Sequence, residues 1–187
     1  RYNAAYIYQD GEPLSDGSGL RGVQPKENLP NYRYFDDKRY FTSFSKLKSS
    51  NGRCPFYGMV GNDKIIQIGL EICEDVYDED YDAKPTFELI NKKSDIIINI
   101  SASPWTHGKN RNRDRVVKNA LKGHTKKPPF CYVNCVGAQN NGKNILVFDG
   151  ASTVYGQDGE PKILANNNYE EQILVFDTDH IPKGSTT

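Results

Sequence analysis

Residues 65–76, IIQIGLEICEDV, decide how the chain is read. The stretch opens as an apolar run rich in β-branched residues (Ile65, Ile66, Ile68) and passes Gly69. It then sets one thiol, Cys73, between Glu71 and the acidic pair Glu74 and Asp75. A β-branched run bounded by turn signals predicts a buried strand. A strand that ends in an abrupt polar turn lifts a nucleophile out of a sheet edge, where substrate can reach it and a following backbone N–H can face a developing oxyanion. A free cysteine in a strand is more commonly a small hydrophobe of the core. What the rest of the chain brings to Cys73 decides between the two.

The totals set the class. At 187 residues the chain has the length of one domain, or a large part of one, with enough residues to bury a core. Lys plus Arg and Asp plus Glu balance at 24 each, so the net charge points to neither nucleic acid nor an acidic membrane surface. The cysteines, Cys54, Cys73, Cys131 and Cys135, have no disulfide-framework spacing, and reduced thiols in a cytoplasmic protein are the expectation. No apolar run approaches the ~20 residues of a membrane span, and no signal peptide precedes the first strand. Residues 2–8 already read as a strand, so an N-terminal portion is expected to be missing.

Upstream of the central stretch, residues 56–60 form a strand that turns at Gly61-Asn62 into it. Residues 42–51 are polar, Ser- and Lys-rich, and read as an exposed connection. Residues 28–41, NLPNYRYFDDKRYF, are aromatic and irregular, a segment costly to order unless it lines something. A strand is expected over 20–23, broken by Pro25, with Lys26 at its end and 15–19 as a loop. Residues 2–9 read as a strand closed by the hairpin signal Asp10-Gly11.

Downstream, 77–82 reads as an acidic loop. Pro85 suits the first turn of a helix over 86–93, with Phe87, Leu89 and Ile90 inward. Residues 95–101 (DIIINIS) are a second buried strand with a polar exit, 101–105. Residues 110–122 form a basic amphipathic helix with Val116, Val117, Ala120 and Leu121 inward and its cations solvated. Strands are expected at 130–136, 144–149, 151–155 and 172–177. Gly150 breaks the second from the third, and turns fall at 137–143 and 157–159. This alternation describes a layered α/β domain, without internal repeats.

Three features converge on one chemistry: a thiol at a strand-to-turn exit, a lysine at another strand end, and hydroxyl and amide groups after a third strand. A nearby ammonium favours thiolate and stabilises an oxyanion, as acyl transfer from an amide requires. His107, His124 and His180 read as solvated or capping residues, and no His/Cys pair has the spacing of metal ligands.

The pieces PKENLPNYRYFDDKRYF, GLEICED, INISASP and VFDGAS, in that order, resemble the carbon–nitrogen hydrolase (nitrilase) superfamily. Within it the chain is most similar to the glutaminase domain of glutamine-dependent NAD synthetases, where a lysine before LPNY and a cysteine in GxxICED are familiar. The resemblance implies an αββα four-layer sandwich, here an incomplete domain over residues 1–187, and a Glu-Lys-Cys triad. It makes Cys73 the nucleophile, Lys26 the triad lysine, and the Glu74 backbone N–H part of the oxyanion hole. Tyr32 would line the glutamine pocket, Ser103 would contact substrate, and Lys109 stands where relatives often carry a basic side chain. Asp37 occupies the place of a second, supporting glutamate, and its shorter side chain is expected to brace the lysine less well.

The family's general-base glutamate would lie upstream of residue 2, and an ATP- and Mg-using synthetase domain would follow the chain. The implied activity is hydrolysis of glutamine, with ammonia passed on to amidate deamido-NAD to NAD. The domain itself would need no cofactor, a homo-oligomer is implied, and neither nucleic acid nor membrane is expected as a partner. Two alternatives stay open: a stand-alone amidase acting on another small amide, and a non-catalytic hydrolase-like scaffold.

Overall fold

Residues 1–47, 51–61, 63–142, 144–166 and 169–181 are described in the computed structural model. The chain divides into two compact units, Arg1–Asn99 and Ile100–Thr187. In chain order the first holds β1 (Ala4–Tyr6), β2 (Tyr8–Gln9), β3 (Glu12–Pro13), β4 (Ser15–Asp16), β5 (Val23–Pro25), the one-turn helix α1 (Asp37–Tyr40), β6 (Phe56–Val60), β7 (Lys64–Ile72), α2 (Pro85–Asn91) and most of β8 (Ile96–Ser101).

β7 is the long strand expected from its β-branched run. β8, β7, β6 and β4 lie side by side in that order, and β6 pairs antiparallel with β7 from Phe56 opposite Ile68 to Val60 opposite Lys64. Asn62, in the turn expected there, lies outside the described residues. Ala5, Phe56, Leu70 and Ile72 form a core cluster in this unit. Gly69 lets its neighbours approach β7: a Cβ there would meet Ser94 Oγ at 2.9 Å, Ile97 Cγ1 at 3.1 Å and Leu89 Cδ1 at 3.2 Å. β2 and β3 form the expected hairpin. Asp10 and Gly11 sit at φ 52° and 82°, the positive values that its two-residue turn demands.

The first unit departs from expectation in several places. The single strand expected over 2–9 is split into β1 and β2, which pair with different partners, β5 and β3. The strand expected at 20–23 is β5, shifted to Val23–Pro25, where it pairs antiparallel with β1. Pro25 ends that strand instead of stopping it earlier, a position that tolerates the missing N–H. Ser15–Asp16, expected in a loop, pairs with β6. Phe44, expected in an exposed connection, is buried in a 3-10 turn, Phe44–Lys46. Phe87 is 51% exposed, because the buried stripe of α2 runs through Pro85, Thr86, Leu89 and Ile90.

The second unit contains α3 (Lys109–Leu121), β9 (Phe130–Asn134), β10 (Val136–Asn140), β11 (Ile145–Asp149), β12 (Thr153–Tyr155) and β13 (Pro161–Leu164). β12 pairs antiparallel with β9 on one side and β13 on the other. β10 pairs antiparallel with β11, from Val136 opposite Asp149 to Asn140 opposite Ile145. Residues 137–140, read as part of a turn, are therefore strand; Lys143 lies outside the described residues. Residues 172–177, expected as a strand, belong to none, and Ile173 and Val175 are 92% and 91% exposed. Helix α3 buries Val116, Val117 and Leu121 as expected, but also Arg113, which is not solvated.

Candidate active site

The chemistry-bearing residues of the first unit gather where β7 ends. After Ile72 the chain enters a 3-10 turn, Cys73–Val76. Cys73 stands at its first position with φ +46°, a left-handed conformation that costs a non-glycine residue about 1–2 kcal/mol. Its surroundings hold it there. The Ile72 N–H donates to Asp75 Oδ2 at 3.1 Å, Asn99 Nδ2 donates to the Cys73 carbonyl at 3.2 Å, and the Tyr77 N–H closes the turn on the Glu74 carbonyl at 2.9 Å. Cys73 is half-buried, whereas Cys54 and Cys131 are buried. Burial pushes the Cys131 thiol up to about 12, which keeps it inert.

Two residues before the nucleophile stands Glu71, wholly buried. Its carboxyl accepts from Asn99 Nδ2 and from Thr86 Oγ1, each at 2.9 Å. Burial pushes its pKa up to about 7; the nearby Asp75 charge adds to this, while Asn99, Arg53 and Thr86 oppose it. The Asn99 amide thus links this carboxyl to the nucleophile's own carbonyl.

Lys26 follows β5 and is buried. Its Nζ donates to Asp37 Oδ2 at 2.7 Å, so the shorter side chain of Asp37 does reach the ammonium. The Lys26 N–H donates to the Asn3 carbonyl at 2.8 Å, and its carbonyl accepts from the Phe44 N–H at 3.0 Å. The next two N–H groups, of Glu27 and Asn28, donate to Asp75 Oδ1 at 3.0 and 2.8 Å. The lysine segment and the cysteine turn are therefore fastened to one carboxylate.

Glu74 forms a second link. Its carboxylate accepts from the Tyr32 hydroxyl, 3.0 Å from each oxygen, and from the Tyr81 hydroxyl at 3.1 Å. Burial, and then the Glu74 charge, raises the pKa of both phenols, so both stay protonated donors. Lys26, Tyr32, Asp37, Cys73 and Glu74 are thus brought together within the first unit. The sequence reading missed Asn99, Asp75, Arg53 and Tyr81. The last lay in the loop read as merely acidic, and its only signal was an aromatic among carboxylates.

Ser103 and Lys109 belong to the second unit. Ser103 is buried: its N–H donates to Asn134 Oδ1 at 2.9 Å, and its carbonyl accepts from Arg113 Nη2 at 3.1 Å. Lys109 is the half-buried first residue of α3. Among the described residues, no group of three or more His, Cys, Asp or Glu side chains could hold a metal ion. No helix among them is long and apolar enough to cross a membrane.

No protein-family model matches the chain. Among curated proteins, the glutamine-dependent NAD(+) synthetase of Thermotoga maritima is 34% identical over 179 residues, 95% of this chain and 26% of that protein. The synthetase of the same name from Synechocystis sp. is 30% identical over 166 residues, again 26% of its length. The chain therefore spans about a quarter of the curated relatives it matches. Among solved structures, the glutamine-dependent NAD+ synthetase of Acinetobacter baumannii, in complex with ADP, aligns with a TM-score of 0.72 at 29% identity. The alignment covers 100% of this chain and 31% of that one. A carbon–nitrogen hydrolase from Helicobacter pylori G27 aligns with a TM-score of 0.63 at 23% identity, over 90% of this chain and 54% of its own.

Proposed function

We propose that this chain, which has the carbon–nitrogen hydrolase fold and is homologous over most of its length to part of the glutamine-dependent NAD(+) synthetases, hydrolyses the side-chain amide of glutamine. The ammonia released would amidate deamido-NAD to NAD. The observation that carries the reading is that one carboxylate, Asp75, fastens both the segment ending in the left-handed Cys73 after β7 and the segment carrying the buried Lys26.

In this mechanism the Cys73 proton passes to a glutamate that the resemblance puts N-terminal to Tyr2. The thiolate attacks the amide carbonyl, and the oxyanion forms against the Lys26 ammonium and the Glu74 N–H. Collapse of the tetrahedral intermediate breaks the C–N bond, and ammonia leaves with the transferred proton. Water then attacks the thioester, giving glutamate and the free thiol. The Asp37 carboxylate, 2.7 Å from the buried Lys26 ammonium, compensates a charge that burial would otherwise leave unpaired. The Glu74 carboxylate, steered by Tyr32 and Tyr81, offers negative charge beside the nucleophile to the ammonium of an amino-acid substrate. Ser103 and Lys109 are further candidate substrate contacts. ATP and magnesium would serve a separate synthetase domain, and a cytoplasmic homo-oligomer fits the same reading.

The test is Cys73→Ala in the full-length protein. Glutamine-dependent NAD synthesis should fall to background, with ammonia-dependent synthesis kept within about twofold. Loss of both activities, or survival of the glutamine-dependent one, rejects the assignment.

A further inference from the structure

Asp75 and Arg53 are 0% and 1% exposed and paired at 3.3 Å between Asp75 Oδ2 and Arg53 Nη2. Burying such a pair is costly unless nearly every donor and acceptor is used. Here they are used on the backbone of two segments. Asp75 Oδ1 takes the N–H groups of Glu27 and Asn28, and Asp75 Oδ2 takes that of Ile72. Arg53 donates to the Pro25 carbonyl at 3.3 Å and the Leu70 carbonyl at 3.1 Å. Its guanidinium also lies 5.4 Å from the centre of the Phe44 ring, and the Phe44 N–H caps the Lys26 carbonyl. Residues 25 to 28 are thus each fixed by Arg53, Asp75 or Phe44. On the other side, the same two charges hold the last strand residues before Cys73.

We propose that the Asp75–Arg53 pair is a positioning device for the reaction, setting the distance and angle between the Lys26 ammonium and the Cys73 thiol. The proposal rests on the glutaminase reading for its kinetic test. A lysine side chain is placed only as well as its backbone, and misplacement of a reacting group by ~1 Å costs about 10²-fold in rate. An apolar pair of equal volume could fill this space but could not direct backbone groups from two segments at once. Asp75→Asn keeps the shape, removes the charge facing Arg53, and sets an amide N–H against a backbone N–H.

The experiment uses the full-length protein and counts active sites by covalent titration of Cys73. Asp75→Asn should lower kcat for glutamine hydrolysis by about 10²-fold with KM within threefold, and leave ammonia-dependent synthesis intact. Arg53→Lys keeps the charge but loses the fork that spans two carbonyls, and should lower kcat by about tenfold at unchanged KM. It serves where Asp75→Asn does not fold. A kcat per titrated site within threefold of wild type in both variants overturns the proposal, even if both melt earlier.

Should the wild-type protein hydrolyse no glutamine, the glutaminase reading fails but the geometry is still testable. Alkylation of Cys73 by iodoacetamide, mapped by peptide mass, should slow in Asp75→Asn as it does in Lys26→Met. An Asp75→Asn rate equal to wild type beside a slowed Lys26→Met overturns the positioning role; so does a Lys26→Met rate equal to wild type, since the two groups would then not be coupled.

Discussion

Glu71 carries the clearest consequence of burial at a single residue. Its carboxyl titrates near 7 in the folded protein, against an ordinary value of 4.5. Below about pH 4.5 both folded and unfolded chains hold the proton. Between 4.5 and 7 the folded chain keeps a proton that the unfolded chain releases, so stability falls as pH rises through that window. Above it the cost is complete, on the order of 3 kcal/mol. Glu71→Gln abolishes the titration while leaving Asn99 and Thr86 a side chain to bond. Urea unfolding at pH 5 and pH 8 should show the wild type losing about 1–3 kcal/mol more than the variant; equal losses would mean that Glu71 does not titrate there. Cys73 was legible in sequence because a β-branched run ends beside it, and Lys26 because it follows a strand end. Tyr32, Asp37, Ser103 and Lys109 came only with the family resemblance. Glu71, Arg53 and Asp75 looked like ordinary charged residues, because burial is set by partners far along the chain: Arg53 bonds Pro25 and Leu70, and Glu71 bonds Thr86 and Asn99.

At the scale of elements, β7 sets everything in the first unit, and its one glycine has a packing reason. An alanine Cβ at Gly69 would sit 2.9 Å from Ser94 Oγ, which already donates to the Leu89 carbonyl at 2.9 Å and is buried. Neither that bond nor the Ile97 and Leu89 side chains can yield freely, so Gly69→Ala should cost about 1–3 kcal/mol. Gly58 supplies the control. A Cβ there would meet chain ends of Ile68, Ile66 and Leu14 at 3.3 Å or more, and Gly58→Ala should cost less. Equal shifts in urea midpoint would sink the packing argument. Long, strongly patterned elements such as β7, β8 and α3 were readable because periodicity accumulates over many residues. Two-residue strands such as β4 carry no period. Residues 172–177 have the short apolar run of a strand, yet Ile173 and Val175 are exposed; such a run cannot state whether a neighbour offers a ladder.

For the molecule as a whole, the even charge count conceals a pattern that composition cannot reveal: each unit buries an arginine–aspartate pair. Arg53 and Asp75 serve the first, and Arg113 and Asp149 the second, where Arg113 Nη1 and Nη2 meet Asp149 Oδ2 and Oδ1 at 2.9 and 2.8 Å. Arg113 also holds the Ser103 carbonyl and lies 5.5 Å from the Tyr132 ring centre. Sequence reasoning spread the cations of α3 over a solvated face because acids elsewhere cancel them, yet cancellation in the total says nothing about which charges meet indoors. Arg113→Met leaves the Asp149 carboxylate buried without its cation, which should cost about 3–5 kcal/mol. Hydrogen exchange of the Ser103 and Gly150 amides should then accelerate by about 10²-fold or more in the full-length protein, if these sites open through the unit's own unfolding. Replacing the carboxylate as well, in Arg113→Met with Asp149→Leu, removes the uncompensated charge and should recover much of the protection. A double variant that exchanges as fast as the single one would mean that the pair holds the second unit by directed bonds to Ser103 and its neighbours, and not by charge balance.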